Sequence, residues 1–139
     1  MIGILIIAHG SLGESLIACA AHVLGKAPPN MQSITVSSDV DPSEFLPMAQ
    51  KLVQALDSGQ GVLVLSDIYG ATPCNIVLKL LQPGHVEGVA GVNLPMLVRV
   101  LNYRDAGIKK CLDKAISGGR DGVVHFTQTS CEHYDSNAK

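Results

Sequence analysis

Four short apolar runs alternate with longer segments in which apolar residues recur every three or four positions. The first run, Ile2 to Ala8, is apolar at nearly every position, as a strand buried on both faces requires. In the segment that follows, Ser11 and Glu14 have the spacing of an S-x-x-E capping box. Leu12, Leu16, Ala20, Val23 and Leu24 form its expected buried stripe, and Gly25 ends it. Beyond Pro28-Pro29, residues 33–38 read as a second strand with Ile34 and Val36 on one face. Asp41 then caps a helix with Pro42 at its first position and Glu44 completing a second box. Phe45, Ala49, Leu52 and Leu56 supply its buried side, up to Asp57-Ser58-Gly59. Residues 61–66 (GVLVLS) form a third strand, Asp67 to Ala71 a loop, and Thr72-Pro73 opens a helix toward Gln82. Val86 to Val92 is the fourth strand, Leu94-Pro95 starts a short helix through Leu101, and Ile108, Leu112, Ala115 and Ile116 mark another. Val123 to Thr129 is a candidate last strand, and Cys131 to Lys139 a polar tail.

This alternation is that of repeated βαβ units. The predicted fold class is α/β: a doubly wound, mostly parallel open sheet of four strands, with a candidate antiparallel edge strand and helices on both faces. A chain of 139 residues fits one domain, expected at residues 1–130 with a C-terminal tail at 131–139. With two Phe, three Tyr and no Trp, the core must be built from aliphatic side chains, which suits buried parallel strands.

A formal net charge of -2 gives no electrostatic footprint for nucleic acid, so none is expected as a partner, and Lys109, Lys110 and Lys114 read as a solvated helix face. Cys19, Cys74, Cys111 and Cys131 lack metal-like spacing, and Cys19 and Cys111 fall at apolar helix positions. Reduced thiols and a cytoplasmic location follow as expectations. The N-terminal apolar run is short and has no basic flank, which marks a strand rather than a signal peptide, and no run is long enough to insert in a membrane.

In open α/β sheets chemistry gathers at the carboxyl ends of strands, which directs attention to Ala8-His9-Gly10 and Ser66-Asp67. His9 stands on a rigid strand end, and an imidazole offers a neutral nucleophilic nitrogen near neutral pH. A strand-end hydrogen bond accounts for it equally. Asp67, one residue beyond the third strand, would face the same crevice and orient that ring, or else cap a loop. Around Gly70, Ala71, Thr72 and Pro73 a helix start presents free N–H groups and a hydroxyl suited to an anion, although ordinary capping explains Thr72-Pro73 as well. Phosphate-loop, dinucleotide and serine-elbow motifs are absent. His22, His85, His125 and His133 lack metal-site spacing and read as structural or surface residues, so no metal is expected.

Three segments, LIIAHGSLGESLI (5–17), GVLVLSDIYGATPCN (61–75) and VAGVNLPMLVRVL (89–101), resemble the mannose-type enzyme IIA domain of the bacterial phosphoenolpyruvate-dependent sugar phosphotransferase system, in its order and spacing from about residue 2 to 126. The resemblance implies a phosphoryl relay without a cofactor. A histidine-phosphorylated carrier protein would be the donor, His9 the acceptor, Asp67 its orienting carboxylate, and an enzyme IIB the next partner. Thr72 stands where a serine is often found, and Gly10, Ser11, Gly70 and Ala71 would hold phosphoryl oxygens beside it. It implies a homodimer that exchanges its last strand, here Val123 to Thr129. IYGAT (68–72) departs from the aromatic, glycine-rich loop of many members, and the chain shows no fused IIB domain, so a separate partner or a sensing role is expected. Two other readings remain open: a phosphoryl-donor subunit for a dihydroxyacetone kinase, and a non-catalytic regulatory module built on the same fold.

Overall fold

The computed structural model describes residues 1–37, 39 and 41–128, with the side chains of all but Pro42, Ala71, Thr72 and Pro73. The expected C-terminal tail, with Cys131 and His133, lies outside the described residues. In chain order the elements are β1 (Gly3–His9), α1 (Leu12–Leu24), β2 (Met31–Val36), α2 (Pro42–Leu56), β3 (Val62–Ser66), α3 (Ala71–Leu80), β4 (Val86–Ala90), α4 (Leu94–Leu101), a 3-10 turn (Arg104–Ala106) and α5 (Ile108–Asp121).

The four strands are parallel and ordered β2-β1-β3-β4. From β1 the chain steps outward to β2, then returns past β1 to β3 and β4, so the order reverses between β1 and β3. Alternation of side chains along β1 and β3 divides the core in two. Ile4, Ile6, Ala8, Leu63 and Leu65 pack with residues of α1, α4 and α5. Leu5, Ile7, Val62 and Val64 face the other way, toward Phe45, Ala49, Val53 and Leu56 of α2 and Ile76, Val77 and Leu80 of α3. The two layers account for the near-continuous apolar runs of the central strands.

Several local expectations change in the folded chain. The α1 stripe is displaced: Gly13 and Ala20 are buried, Leu16 and Ile17 half-buried, and Leu12, Cys19 and Val23 exposed. Gly13 is the cause, because a Cβ there would lie 2.8 Å from the Cβ of Ser33, and this close approach turns the 13-16-17-20 side toward the sheet. Ser11 flanks α1 without a side-chain capping bond, so its expected box with Glu14 does not close. Asp41, by contrast, accepts from the Ser43 N–H at 3.0 Å, with Pro42 in the first turn. Strand β2 runs two residues earlier than expected, at 31–36. Residues 123–127 form no strand, and Val123 and Phe126 are each 80% exposed.

Arg104 is buried, and its guanidinium ties three chain segments together. Nε and Nη2 donate to the Ile2 carbonyl at 3.2 and 2.7 Å, Nη1 to Pro29 at 2.5 Å, and Nη2 also to Asn30 at 2.8 Å. Cys111 is fully buried beneath it, and burial pushes its thiol pKa up, which makes it an unreactive part of the core. Lys109 and Lys110 are exposed, while the Lys114 ammonium lies 4.4 Å over the Tyr103 ring.

Candidate functional site

The carboxyl ends of β1 and β3 meet where the strand order reverses, and one histidine and one aspartate occupy them. Pairing of β1 with β3 ends at Ile7 and Ser66. His9 lies two residues beyond that pair, where its backbone N–H has no further carbonyl of β3 to reach. Asp67 takes over as acceptor: Oδ2 receives the His9 N–H at 3.0 Å and lies 2.8 Å from Nδ1 of the same ring. An ionised carboxylate can only accept, so Nδ1 carries the proton. One oxygen therefore fixes both the backbone and the tautomer of His9, leaving Nε2 with its lone pair outward.

Exposure separates the two partners. The His9 side chain is 54% exposed and that of Asp67 only 12%. Burial opposes ionisation of Asp67, but the hydrogen bonds from the His9 backbone and ring, with the ring's charge when protonated, outweigh it and hold the carboxyl below its usual value. Its other oxygen, Oδ1, is buried and has no hydrogen-bond partner among the described residues. A proton on Asp67 would cost the charge assistance of the bonds at Oδ2, so the carboxylate stays charged through the neutral range.

The surrounding backbone is turned sharply by two glycines. Gly10 has φ +55° and, with Ser11, joins β1 to α1, whose first-turn N–H groups open beside the strand end. Gly70, at φ +100°, flanks the start of α3, which begins at Ala71. Thr72 and Pro73 are therefore the second and third residues of the helix and not its cap and first residue, as their types suggest. Proline is tolerated there because the N–H groups of the first turn have no intrahelical acceptor. Ile68 and Tyr69, between Asp67 and Gly70, are exposed.

Two features escape a reading of motifs. Thr35, on β2, donates its hydroxyl to the Gly10 carbonyl at 2.9 Å. At the opposite end of the sheet His85 pairs with Asp57 (Nε2 to Oδ2, 2.5 Å), and Asp57 also accepts from the Gly59 and Gly61 N–H groups. His85 is thus a loop-bracing residue, while His22 and His125 are exposed. Among the described residues no cluster of three or more His, Cys, Asp or Glu side chains could hold a metal ion, and no helix is long and apolar enough to cross a membrane.

Comparison with known proteins points the same way as the three sequence segments. The family model of the PTS system fructose IIA component matches residues 3–116. The chain is 32% identical over 125 residues to the PTS system mannose-specific EIIAB component of Escherichia coli strain K12, covering 88% of this chain and 38% of that longer protein. Among solved structures, phosphotransferase system component EIIA from Streptococcus agalactiae superposes with a TM-score of 0.79 at 24% identity, covering 91% of this chain and 98% of that one. The PTS IIA protein associated with the fucose utilization operon of Streptococcus pneumoniae gives a TM-score of 0.76 at 26% identity, covering 88% and 91%. By its sequence match over residues 3–116, this chain belongs to the EIIA-man family of phosphotransferase-system IIA components.

Proposed function

We propose that the chain is a phosphohistidine carrier in which His9 takes a phosphoryl group from a histidine-phosphorylated carrier protein and passes it to an enzyme IIB partner, in sugar uptake or its regulation. Family membership supports phosphoryl transfer within the phosphotransferase system. The observation that carries the finer reading is the bond from His9 Nδ1 to the partly buried Asp67, beside a ring that remains half exposed to an incoming protein.

In the proposed step, Nε2 of His9 attacks the donor's phosphorus in line with its P–N bond. The P–Nε2 bond forms as the donor bond breaks, and the donor imidazole leaves with the electron pair. The proton on Nδ1 stays in its bond to Asp67, whose negative charge offsets the positive charge growing on the ring. Backbone N–H groups of Gly10 and Ser11 on one side, and of Gly70, Ala71 and Thr72 on the other, would hold the phosphoryl oxygens, with the Thr72 hydroxyl as a further donor. Transfer onward reverses the step. Positioning and charge stabilisation suffice for this chemistry, so the reading assigns no cofactor.

The same reading places the protein in the cytoplasm as a homodimer. Exposed Val123, Val124 and Phe126 would be covered by strand exchange with a second copy. The deciding experiment supplies phosphoenolpyruvate, enzyme I and the carrier protein, and follows an acid-labile, base-stable phosphate. Wild type and His22→Ala should be labelled and His9→Ala should not. Label surviving in His9→Ala would exclude His9 as the acceptor. Onward transfer to a IIB protein, and none to a dihydroxyacetone kinase subunit, is the expected direction of flow.

A further inference from the structure

We infer that Thr35 is a positioning residue for phosphoryl transfer, acting on the Gly10–Ser11 peptide; the inference rests on His9 being the acceptor. Strand β2 flanks β1 on the side away from β3, and its register sets Thr35 opposite Ala8 and Val36 opposite His9. From there the Thr35 hydroxyl donates to the carbonyl of Gly10 at 2.9 Å, across 25 residues of sequence. Asp67 grips His9 from the β3 side at 2.8 and 3.0 Å. Two consecutive residues are thus held from opposite sides by side chains of two different strands.

The bond to Gly10 matters because of what shares its peptide plane. In a planar trans peptide, the carbonyl and the next N–H point in opposite directions. With the Gly10 carbonyl turned toward β2, the Ser11 N–H is directed away from β2, toward the side of β1 where Asp67 meets the imidazole. Gly10 is otherwise poorly restrained: φ is +55°, and a Cβ built there would meet nothing within 4 Å. Crowding does not select its conformation, and a glycine visits several wells at similar energy. The Ser11 carbonyl accepts from the Ser15 N–H at 3.0 Å, which anchors the far side of that residue, while its side chain makes no capping bond. The Thr35 hydroxyl is what ties this peptide, and with it the aim of the Ser11 N–H at an oxygen of a phosphoryl group on His9.

Thr35→Val keeps the branched shape and removes the donor, whereas Thr35→Ser keeps the donor. Single-turnover transfer from the phosphorylated carrier, measured over a range of its concentrations, separates the limiting rate from the half-saturating concentration. A misdirected backbone donor should lower the limiting rate of Thr35→Val roughly tenfold, below the hundredfold or more typical of removing one outright. The half-saturating concentration and melting temperature should stay near wild type. Thr35→Ser should recover most of the rate, and phosphorylation should shift the Ser11 amide resonance less in Thr35→Val than in wild type. A Thr35→Val protein that transfers at the wild-type rate overturns the inference. So does a loss that Thr35→Ser shares together with a lowered melting temperature, which would make Thr35 a structural residue. If wild type is labelled elsewhere than His9, the acceptor assignment itself fails; equal rates in wild type and Thr35→Val, with label on His9, remove only Thr35.

Discussion

Asp67→Asn tests the central pair most directly, because the side chain keeps its shape and loses its charge. Oδ2 accepts from both the His9 N–H and Nδ1–H, at 3.0 and 2.8 Å. Converting a charge-assisted bond to a neutral one loses about 1 kcal/mol. The bond from the His9 N–H is the same before and during transfer, so the rate feels only the Nδ1–H bond, on a ring that is 54% exposed and partly screened by solvent. That loss falls on the transition state, since positive charge on the ring grows only as the P–Nε2 bond forms. The limiting transfer rate should therefore drop about 3- to 5-fold. If the new amide turns its NH2 toward the ring, the proton moves to Nε2, the wrong nitrogen is freed and the loss is larger. Rapid-quench transfer from a radiolabelled carrier gives the rate, and circular dichroism checks the fold. A folded variant with an unchanged rate would refute the orienting role of Asp67.

Three further outcomes concern the frame around the site. Arg104→Met should cost about 3 kcal/mol or more, measured by urea unfolding, because the Ile2, Pro29 and Asn30 carbonyls lose buried donors; a loss below about 1 kcal/mol would mean those carbonyls find water. Gly61→Ala should lose about 3 kcal/mol or fail to fold, since φ is +96° and a Cβ would sit 2.2 Å from the His85 carbonyl oxygen; near-native stability in the same assay would contradict so close an approach of the two loops. The Gly59 N–H, then His85, lowers the pKa of Asp57 from its usual 3.8, so its stabilisation is complete above that value and disappears as pH falls through the lowered one. Asp57→Asn should melt a few degrees below wild type at neutral pH, and the two curves should converge on acidification; parallel curves would mean the pair contributes nothing to the acid limb.

Much of the fold was legible because the central strands are buried on both faces. Runs such as Ile2 to Ala8 and GVLVLS have no other stable use in a chain this size, and their alternation with helical patterns admits few topologies. Boundaries and helix faces were less legible where glycine intervenes. A glycine scores as a gap in an apolar stripe, yet Gly13 faces Ser33 of β2 so closely that a Cβ would not fit, and it displaces the whole stripe. Gly118 and Gly119 are likewise buried where α5 meets Arg99 and Met96 of α4. At α3 the residue types favour Thr72 as cap and Pro73 as first helical residue, but Gly70 turns the chain two residues earlier than those types suggest.

The site divides along the same line between local and non-local information. His9 and Asp67 each end an apolar run, and a strand end is visible in a single segment of sequence. What they do to one another depends on register, which no single segment contains. Ile7 pairs with Ser66, so the ladder ends before His9 can find a carbonyl on β3, and the Asp67 side chain fills that place. Slipping β1 by one residue would present Ala8 or Gly10 to Asp67 and send every apolar side chain of the strand to the opposite face, which the two aliphatic cores forbid. Thr35 and the Asp57–His85 pair were invisible for the same reason. A threonine in a strand is ordinary, and Asp57 and His85 lie 28 residues apart. Only the β2-β1 register sets that hydroxyl beside the Gly10 carbonyl, and only the return of the chain to β4 sets that imidazole beside Asp57. Core packing therefore does more than stabilise the sheet: by forbidding slippage, it holds an imidazole and a carboxylate from distant segments at hydrogen-bonding distance.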